Sequence, residues 1–589
     1  MVQAKDHIAL YDKNTVHLVF MSKVKGLFLG QTPSIFPYPK PLSKDEETLR
    51  LVIESIDKFL DEQKEELASH DKHSSQPDDY IQALRELGLF GVIIPEEYGG
   101  IGLSNAGYSR VLQQVARHDG STSLTVGAHS SIGMKGLLLF GNEAQKAKYL
   151  PKLATGEFIA AFCLTEPGSG SDAASIKTEA KKQPDGSWIL NGDKIWITNG
   201  PIAQFFTVFA RTNSDGGQLS CFIVERDQKG VSVGPKESKM GIKASATSTV
   251  AFSDVVLPPE ALLGEEGKGF KIAMEILNNG RTGLGGGCVG AMKRAISLAR
   301  DHANERKQFG KAIGEFAIIK EKLALMTAAA FATESIVGIV GDLIDSREED
   351  YSLEAAISKI YASESLWMVG NEALQIAGGT GFMSEYPFER IVRDSRINLI
   401  FEGTNEILRL YIALSGFKYA GDYLKGVGKG VSGLFRDPIK GFGVMYDYTQ
   451  KKISEMTPIG RESFEFLPIP LQEYGGILGA LSAQFAGQVE KVVRTYGNGV
   501  IGQQLISKRI ADSAISIFVG FATLARVARL VEEKGEDSSA LEIKIAQIVI
   551  NTSKRLVTER LRGLRANDDP SILSLGEEIL KDGYRWDLF

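Results

Sequence analysis

The sequence predicts a mainly α-helical chain with a central β domain. Apolar residues recur at helical spacing up to about residue 155 and again from Gly269 onward, whereas between Phe158 and Pro258 they fall in short runs rich in β-branched and aromatic residues. The chain has 589 residues, 43% of them hydrophobic and 24% charged, which supports several domains rather than one core.

Residues 1–42 read as an N-terminal extension. "MVQAKDHIALYDKNTVHLVF" lacks an unbroken apolar core followed by a small-residue cleavage site, so no targeting signal is expected, and "MSKVKGLFLG" from Met21 looks like a more natural start. A helical N-terminal domain over 43–160 opens with "SKDEETLRLVIESIDKFLDE". There Ser43 and Glu46 have capping-box spacing, and Leu49, Val52, Ile53, Ile56, Phe59 and Leu60 share one face. "DDYIQALRELGLFG" and "EAQKAKYLPKLATG" continue the helical pattern.

The middle β domain spans 161–268. In it "SWILNGDKIWITNG" reads as a hairpin about Asn191-Gly192-Asp193, followed by "QFFTVFAR", "LSCFIVER" and "STVAFSDVVLP". From 269 to 416, "GFKIAMEILNN", "VGAMKRAISLARDHANERKQF", "AIIKEKLALMTAAAFATESIVGIVGDLI" and "LEAAISKIYASESLWMVGNEALQIAG" predict a four-helix bundle. Residues 417–458, rich in glycine and lysine with no helical period, read as a linker. A C-terminal helical domain over 459–589 has its helices ending near Leu564.

A net charge of −6 provides no global field for nucleic acid, and no nucleic-acid partner is expected. Cys163, Cys221 and Cys288 are odd in number and widely spaced, so neither a disulfide framework nor a metal site is predicted, and a reducing compartment fits. The longest apolar stretch, "SAISIFVGFATLA", falls short of the ~18 residues of a membrane span. Between Lys418 and Lys452 basic residues outnumber acidic ones around Leu434, Phe435, Ile439 and Phe442; the segment is either a membrane-surface element or a flexible linker.

A literal G-x-G-x-x-G at Gly285, Gly287 and Gly290 follows a helical pattern rather than a strand. It therefore predicts close helix packing or a helix break, not a dinucleotide loop. In "FCLTEPGSGSDAASIKTEA", hydroxyls and glycines cluster just ahead of the β runs, as an ordinary turn or as a loop for a polar ligand. In "INLIFEGTNEILRLYIAL", Thr404 is placed to cap a helix, and Glu406 falls in its first turn, where the helix dipole favours a carboxylate. Glu402 lies before the cap, after an apolar run, where burial would raise its pKa toward that of a general base.

"CLTEPGSGSD", "WITNG", "RKQFGKAIGEF", "QIAGGTGFMSEYPFERIVRD" and "IFEGTNEILR", in this order and spacing, resemble the acyl-CoA dehydrogenase family of flavoproteins over about residues 45–415. "FLGQTPSIFPYP", "VGAHSSIGMKG", "ILNNGR" and the additional C-terminal helices resemble its very-long-chain branch, with the relative that also serves in respiratory complex I assembly.

The resemblance implies the acyl-CoA dehydrogenase fold: a helical N-terminal domain, a β-barrel middle domain and a four-helix bundle, here with an appended C-terminal helical domain. It also implies FAD and a homodimer. It places Phe162, Leu164 and Thr165 along the isoalloxazine, Gly170 and Ser171 at the pyrophosphate side, and Trp196 and Thr198 on the ring's other side, with β-core as the alternative for Trp196. Across the dimer, Arg306, Gln308, Phe309, Gln375 and Gly379 are implied at the adenosine end, and Thr404 and Glu406 are also implied at the cofactor. Ser171, Arg281, Glu402 and Gly403 are implied at the substrate, and small Gly127 and Ala128 leave room for an acyl slot or serve helix packing.

By the same resemblance Glu402 removes the α-proton of a fatty acyl-CoA while the β-hydrogen leaves as hydride. The thioester oxygen is then held by the glutamate's backbone N–H and a ribityl hydroxyl. The implied activity is dehydrogenation of long-chain or very-long-chain acyl-CoA to trans-2-enoyl-CoA in β-oxidation, with electrons passed to electron-transferring flavoprotein. An acyl-CoA oxidase and a respiratory-assembly scaffold with weak catalysis are the alternatives. The expected location is cytoplasmic, or the mitochondrial matrix side in a eukaryote, peripheral to a membrane.

Overall fold

Side-chain capping sets three of the helix starts in the N-terminal region. The computed structural model describes residues 22–40, 43–212, 218–433 and 463–584, and only the backbone of 43–44 and 426–433. The capping box at Ser43, the expectations for residues 1–21, and Leu434, Phe435, Ile439 and Phe442 lie outside the described residues or side chains. The chain divides into two units, Met1–Ser22 with Tyr38–Asn405 and Lys23–Pro37 with Glu406–Phe589.

The first unit begins with α1 (Ser43–Glu62), α2 (Lys64–His73), α3 (Asp78–Glu86), α4 (Asn105–His118), α5 (Gly120–Gly127), α6 (Lys135–Phe140) and α7 (Glu143–Ala154). The Ser104 side chain accepts the Gly107 N–H ahead of α4, and Asp119 does the same for Thr122 ahead of α5. Asn142 and Gln145 form a reciprocal capping box on α7.

Strands β1 (Ala160–Cys163), β2 (Glu179–Lys182), β3 (Trp188–Thr198), β4 (Phe205–Arg211), β5 (Leu219–Glu225), β6 (Val231–Val233), β7 (Thr247–Leu257) and β8 (Leu262–Leu263) follow. Among the described residues they form one eight-stranded sheet in the order β6-β7-β3-β2-β4-β5-β8, with β1 parallel to β4. Period-two alternation gives the sheet two apolar faces. Phe206, Val208, Phe222 and Val224 join Trp188 and Leu190 in the domain's own core. Phe205, Phe209 and Ile223 instead join a core with Leu112, Val126, Met134 and Ile276 from the helices.

The hairpin expected at Asn191-Gly192-Asp193 is not there; β3 runs straight through it, with a register shift against β7 between Leu190 and Gly192. Gly192 has φ 148°, and a Cβ on it would lie 2.4 Å from Thr178 Oγ1. Asn191 exchanges hydrogen bonds with Asp254 across the ladder, donating from its side chain at 3.0 Å and accepting the Asp254 N–H at 2.8 Å. The Asn-Gly pair thus builds a bulge rather than a turn.

The bundle comprises α8 (Gly269–Glu305), a β9 (Lys307–Gln308) and β10 (Lys311–Ala312) hairpin, α9 (Ala317–Asp345), α10 (Ser352–Ala377), α11 (Gly379–Phe382) and α12 (Pro387–Ser395); Asn405 then opens α13 (Asn405–Gly433). The first two helical segments expected here are one uninterrupted helix, α8. Its glycines admit the backbone of α4: a Cβ at Gly290 would lie 1.9 Å from Gln113 O, and one at Gly286 would lie 2.4 Å from Ser109 O. The G-x-G-x-x-G is therefore a helix crossing. Gly290→Ala is expected to destabilise the protein by about 1–3 kcal/mol through overpacking. A denaturant midpoint equal to that of the parent would show that the crossing relaxes freely.

By length and apolarity alone, α9 and the helix Gln504–Lys534 could cross a membrane, although the sequence was expected to hold no such stretch. Their most apolar windows are 61% and 83% buried inside the protein, as core helices are.

The second unit contains most of α13, then α14 (Ile469–Tyr496), α15 (Gln504–Lys534), α16 (Ala540–Arg562) and α17 (Asp569–Asp582). Two expectations are corrected here. The linker expected from 417 is helical as far as Gly433, because Phe417 and Ala420 are buried and Gly416 lets Phe28 approach, its ring atom 2.0 Å from where a Cβ would stand. Phe28 also packs edge-on against Phe485, with ring centroids 5.1 Å apart. Helices also continue beyond Leu564. Pro570 sits in the first turn of α17, where its missing N–H costs nothing, and Arg509 holds Asp569 through two bonds of 2.6 Å.

Candidate functional site

Glu402 has φ 56° and Gly403 φ 94°, two successive left-handed residues between α12 and α13. For a residue with a Cβ that conformation costs roughly 1–2 kcal/mol, so the surroundings must hold it. Arg281 on α8 donates to Glu402 O at 3.3 Å. Lys359 on α10 donates to Gly403 O and to Asn405 Oδ1, both at 2.8 Å. Asn405 in turn donates to Ser363 Oγ at 3.0 Å and Glu364 Oε1 at 3.1 Å, which fixes the first residue of α13.

The turn aims the Glu402 carboxyl inward. Its Oε2 is closed to solvent, has no hydrogen-bond partner among the described residues, and lies 3.7 Å from where a Cβ on Gly280 would stand. Burial pushes the Glu402 pKa up to about 7, against the pull of the Arg281 and Lys359 cations. Tyr108 on α4 faces the same carboxylate; burial raises its pKa, Ser131 and Ser130 oppose this, and the Glu402 charge adds to it. Gly127 O accepts from Ser131 Oγ at 2.6 Å and from the Tyr108 hydroxyl at 3.5 Å, which ties the Gly127–Ala128 segment to this cluster.

A second group gathers where β1 runs into the loop after it. Phe162 is half-buried against Phe209 at 5.1 Å between centroids, and Leu164 is buried. Thr165 O accepts the Ile195 N–H at 3.0 Å, which sets the loop beside Trp196. Lys194, 0% exposed, donates to Glu166 Oε1 at 2.7 Å, Phe209 O at 2.9 Å and Leu164 O at 3.2 Å. Between Lys194 and Ile197 β3 bulges, and Trp196 stands there with φ 57° and 66% of its surface exposed, so β-core is not its role. Thr198 is half-buried, while Gly170 and Ser171 are exposed.

Arg306, Gln308, Phe309, Gln375 and Gly379 all lie on the surface of the bundle. Phe309, at φ 53° in the β9–β10 turn, is 92% exposed. Glu406 is exposed in the first turn of α13, and Thr404 directly precedes that helix. Of the residues singled out in the sequence, the structure brings together Glu402, Gly403 and Arg281, and separately Phe162, Leu164, Thr165 and Trp196.

The FAD implied by the resemblance fits these residues. An indole held outward by a strained bulge offers a flat apolar face for a ring system. Cβ atoms at Gly168, Gly170, Gly378 and Gly379 would meet nothing within 4 Å among the described residues, which leaves backbone open for a phosphate group to approach.

Lys359, Asn405 and Lys194 went unnoticed in the sequence. A signal was present for both lysines. Lys359 is a lone cation among Ala355, Ala356, Ile357 and Ile360, and Lys194 shares strand parity with Trp188 and Leu190.

Comparison with known proteins agrees with the order of the domains. Residues 46–157, 161–255 and 267–416 match the N-terminal, middle and C-terminal domains of acyl-CoA dehydrogenase, and 470–583 match the ACAD9/ACADV C-terminal domain. The human mitochondrial very long-chain specific acyl-CoA dehydrogenase is 43% identical over 86% of this chain and 79% of its own. An acyl-CoA dehydrogenase from Bacillus anthracis, solved in complex with FAD, superposes with a TM-score of 0.79 at 34% identity over 96% of both chains. A chain in the structure described as the electron transferring flavoprotein of Acidaminococcus fermentans is 35% identical with a TM-score of 0.61, over 64% of this chain and 99% of that one. With its three domains matched in order, the chain belongs to the acyl-CoA dehydrogenase family of FAD-dependent oxidoreductases.

Proposed function

We propose that this chain dehydrogenates long-chain or very-long-chain fatty acyl-CoA to trans-2-enoyl-CoA, as a homodimer that passes its electrons to an electron-transferring flavoprotein. The observation that carries the reading is the carboxyl of the half-buried Glu402, whose Oε2 is closed to solvent and without a hydrogen-bond partner among the described residues, and whose pKa is raised to about 7. A carboxylate so placed is a base matched to neutral pH. Glu402 takes the α-proton of the thioester. Arg281 and Lys359 hold the two carbonyls of its turn, so the carboxylate meets the substrate without reorganising. FAD, when bound, supplies the hydride acceptor for the β-hydrogen.

Phe162, Leu164, Thr165, Trp196 and Thr198 would hold the ring system, with Gly170 and Ser171 toward the pyrophosphate. The exposed Arg306, Gln308, Phe309, Gln375 and Gly379 would reach the partner subunit's cofactor, and Thr404 and Glu406 would also border it; Ser171, Arg281 and Gly403 would join Glu402 at the substrate. Chain length is supported by the likeness to the human very long-chain specific enzyme and by the ACAD9/ACADV domain. An electron-transferring flavoprotein as acceptor is consistent with the family, and one structural neighbour comes from a structure described as that of such a flavoprotein. The human relative is named as mitochondrial; for this chain the reading places it in the cytoplasm, or in the matrix of a eukaryote.

A series of saturated acyl-CoAs against an artificial acceptor tests the reading. Each added methylene that finds an apolar slot contributes about 0.8 kcal/mol, so kcat/KM should climb roughly fourfold per added carbon, more than about tenfold per carbon pair, and peak among long chains. A peak at butyryl-CoA would refute the chain-length assignment, and rapid oxygen consumption by the reduced enzyme would make it an oxidase.

A further inference from the structure

We propose that Lys359 is a positioning residue for the base: its buried ammonium holds the Glu402–Gly403 turn and places a positive charge beside the Glu402 carboxylate. The proposal rests on Glu402 being the base.

Lys359 is 0% exposed, and burying an ammonium is unfavourable by several kcal/mol unless other groups offset it. Its hydrogen-bond acceptors, Gly403 O and Asn405 Oδ1, are neutral. A neutral donor such as glutamine would serve two neutral acceptors without that penalty, so hydrogen bonding alone does not account for a lysine. The groups facing it do. Burial lowers its pKa to about 8, and Glu402 heads the charges that oppose this, with Arg281 working in the other direction and Cys288 and Glu364 adding smaller support.

Seen from Glu402, the facing groups come from three helices. Arg281 is on α8 and Lys359 on α10, while Tyr108 on α4 and Cys288 on α8 are neutral groups whose own pKa values the Glu402 charge raises further. The division of labour is geometric. Arg281 holds Glu402 O and Lys359 holds the next carbonyl, so two cations from different helices grip consecutive peptide groups of one left-handed turn. Lys359 also reaches Asn405, and through it Ser363, one helical turn further along its own helix.

Three variants separate charge from hydrogen bonding: Lys359→Met removes both, Lys359→Gln keeps a donor without charge, and Lys359→Arg keeps the charge. In each the acid limb of kcat/KM, which reports the ionisation of the free enzyme, is measured by flavin bleaching with long-chain acyl-CoA. A base that must be ionised works above its pKa, so losing the neighbouring cation moves the limb toward alkaline pH. We expect a shift of about one pH unit in Lys359→Met and Lys359→Gln, equivalent to tenfold less activity below the limb. Lys359→Arg should return the limb to its parental position, and Lys359→Gln should recover more of the plateau rate than Lys359→Met.

Limbs in Lys359→Gln and Lys359→Met that coincide with the parent overturn the proposal. If Lys359→Met fails to fold, the comparison of Lys359→Gln with Lys359→Arg decides alone. Glu402→Gln is assayed alongside. If it stays active, the base assignment itself is wrong; if it is inactive and the limbs do not move, only the role of Lys359 is wrong.

Discussion

Glu402→Gln binds FAD as the parent does and loses dehydrogenation by at least about 10²–10⁴, the contribution typical of a general base. The amide keeps the volume and the turn, because Arg281 and Lys359 hold backbone carbonyls rather than the side chain. The flavin spectrum should therefore be unchanged while bleaching by substrate is abolished, and near-normal bleaching would remove Glu402 from the mechanism. The parent's activity should rise with pH through about 7, where burial places the carboxyl. Stability runs the other way. A carboxyl raised above its unfolded value of 4.5 binds its proton more tightly in the folded state, so its effect is neutral below that value and destabilises increasingly as pH rises toward 7. Glu402→Gln, which carries no charge, should thus match the parent in acid and melt at a higher temperature at pH 8.

Particular residues show how far the sequence could be read. A helical period located α1, where burial is one-sided, whereas α10 is buried without a break from Leu353 to Ile360 and was legible as a long run of helix-forming residues rather than as a stripe. The Asn191-Gly192 pair misled because a tight hairpin and a bulge both call for an unusual backbone at glycine, and only the pairing with β7 tells them apart. The glycines of α8 misled in the opposite sense: read by propensity they interrupt a helix, but against the backbone of α4 they are what lets it pack. Helix α13 outlasted its apparent pattern because Gly416 accommodates Phe28, a residue some 390 positions earlier in the chain. At the site, Glu402 could be told from Glu406 by its position ahead of the helix cap. The groups that hold it could not be identified. Lys359 stands out locally as a lone cation among Ala355, Ala356, Ile357 and Ile360, but it is 43 residues away from Glu402, and only helix packing joins the two.

Lys194→Met should lower the stability of the folded protein by about 3–5 kcal/mol, the usual effect of removing one partner from a buried ion pair. Lys194 and Glu166 are 0% and 5% exposed, and the ammonium also serves Leu164 O and Phe209 O, so its loss strands a carboxylate and two carbonyls together. Burial pushes the Glu166 pKa up, but Lys194 and the N–H groups of Lys177 and Thr178 outweigh it and hold the carboxyl below its ordinary range. That increment of stability is present above the unfolded value of 4.5 and is lost as pH falls through the folded one. The gap between parent and variant in a denaturant titration should therefore be full at pH 7 and narrow in acid. The pair also ties the Thr165–Ser171 loop to the strand carrying Trp196, so the variant should release FAD on gel filtration where the parent retains it. Lys194→Met combined with Glu166→Leu separates these effects: removing both charges recovers part of the stability, because no buried ion is left unpaired although Leu164 O, Phe209 O and the N–H groups of Lys177 and Thr178 lose these partners, yet the loop stays untied and FAD is still lost. If the double variant regains FAD as well as stability, the pair serves folding alone and the position of Trp196 is set by the bulge.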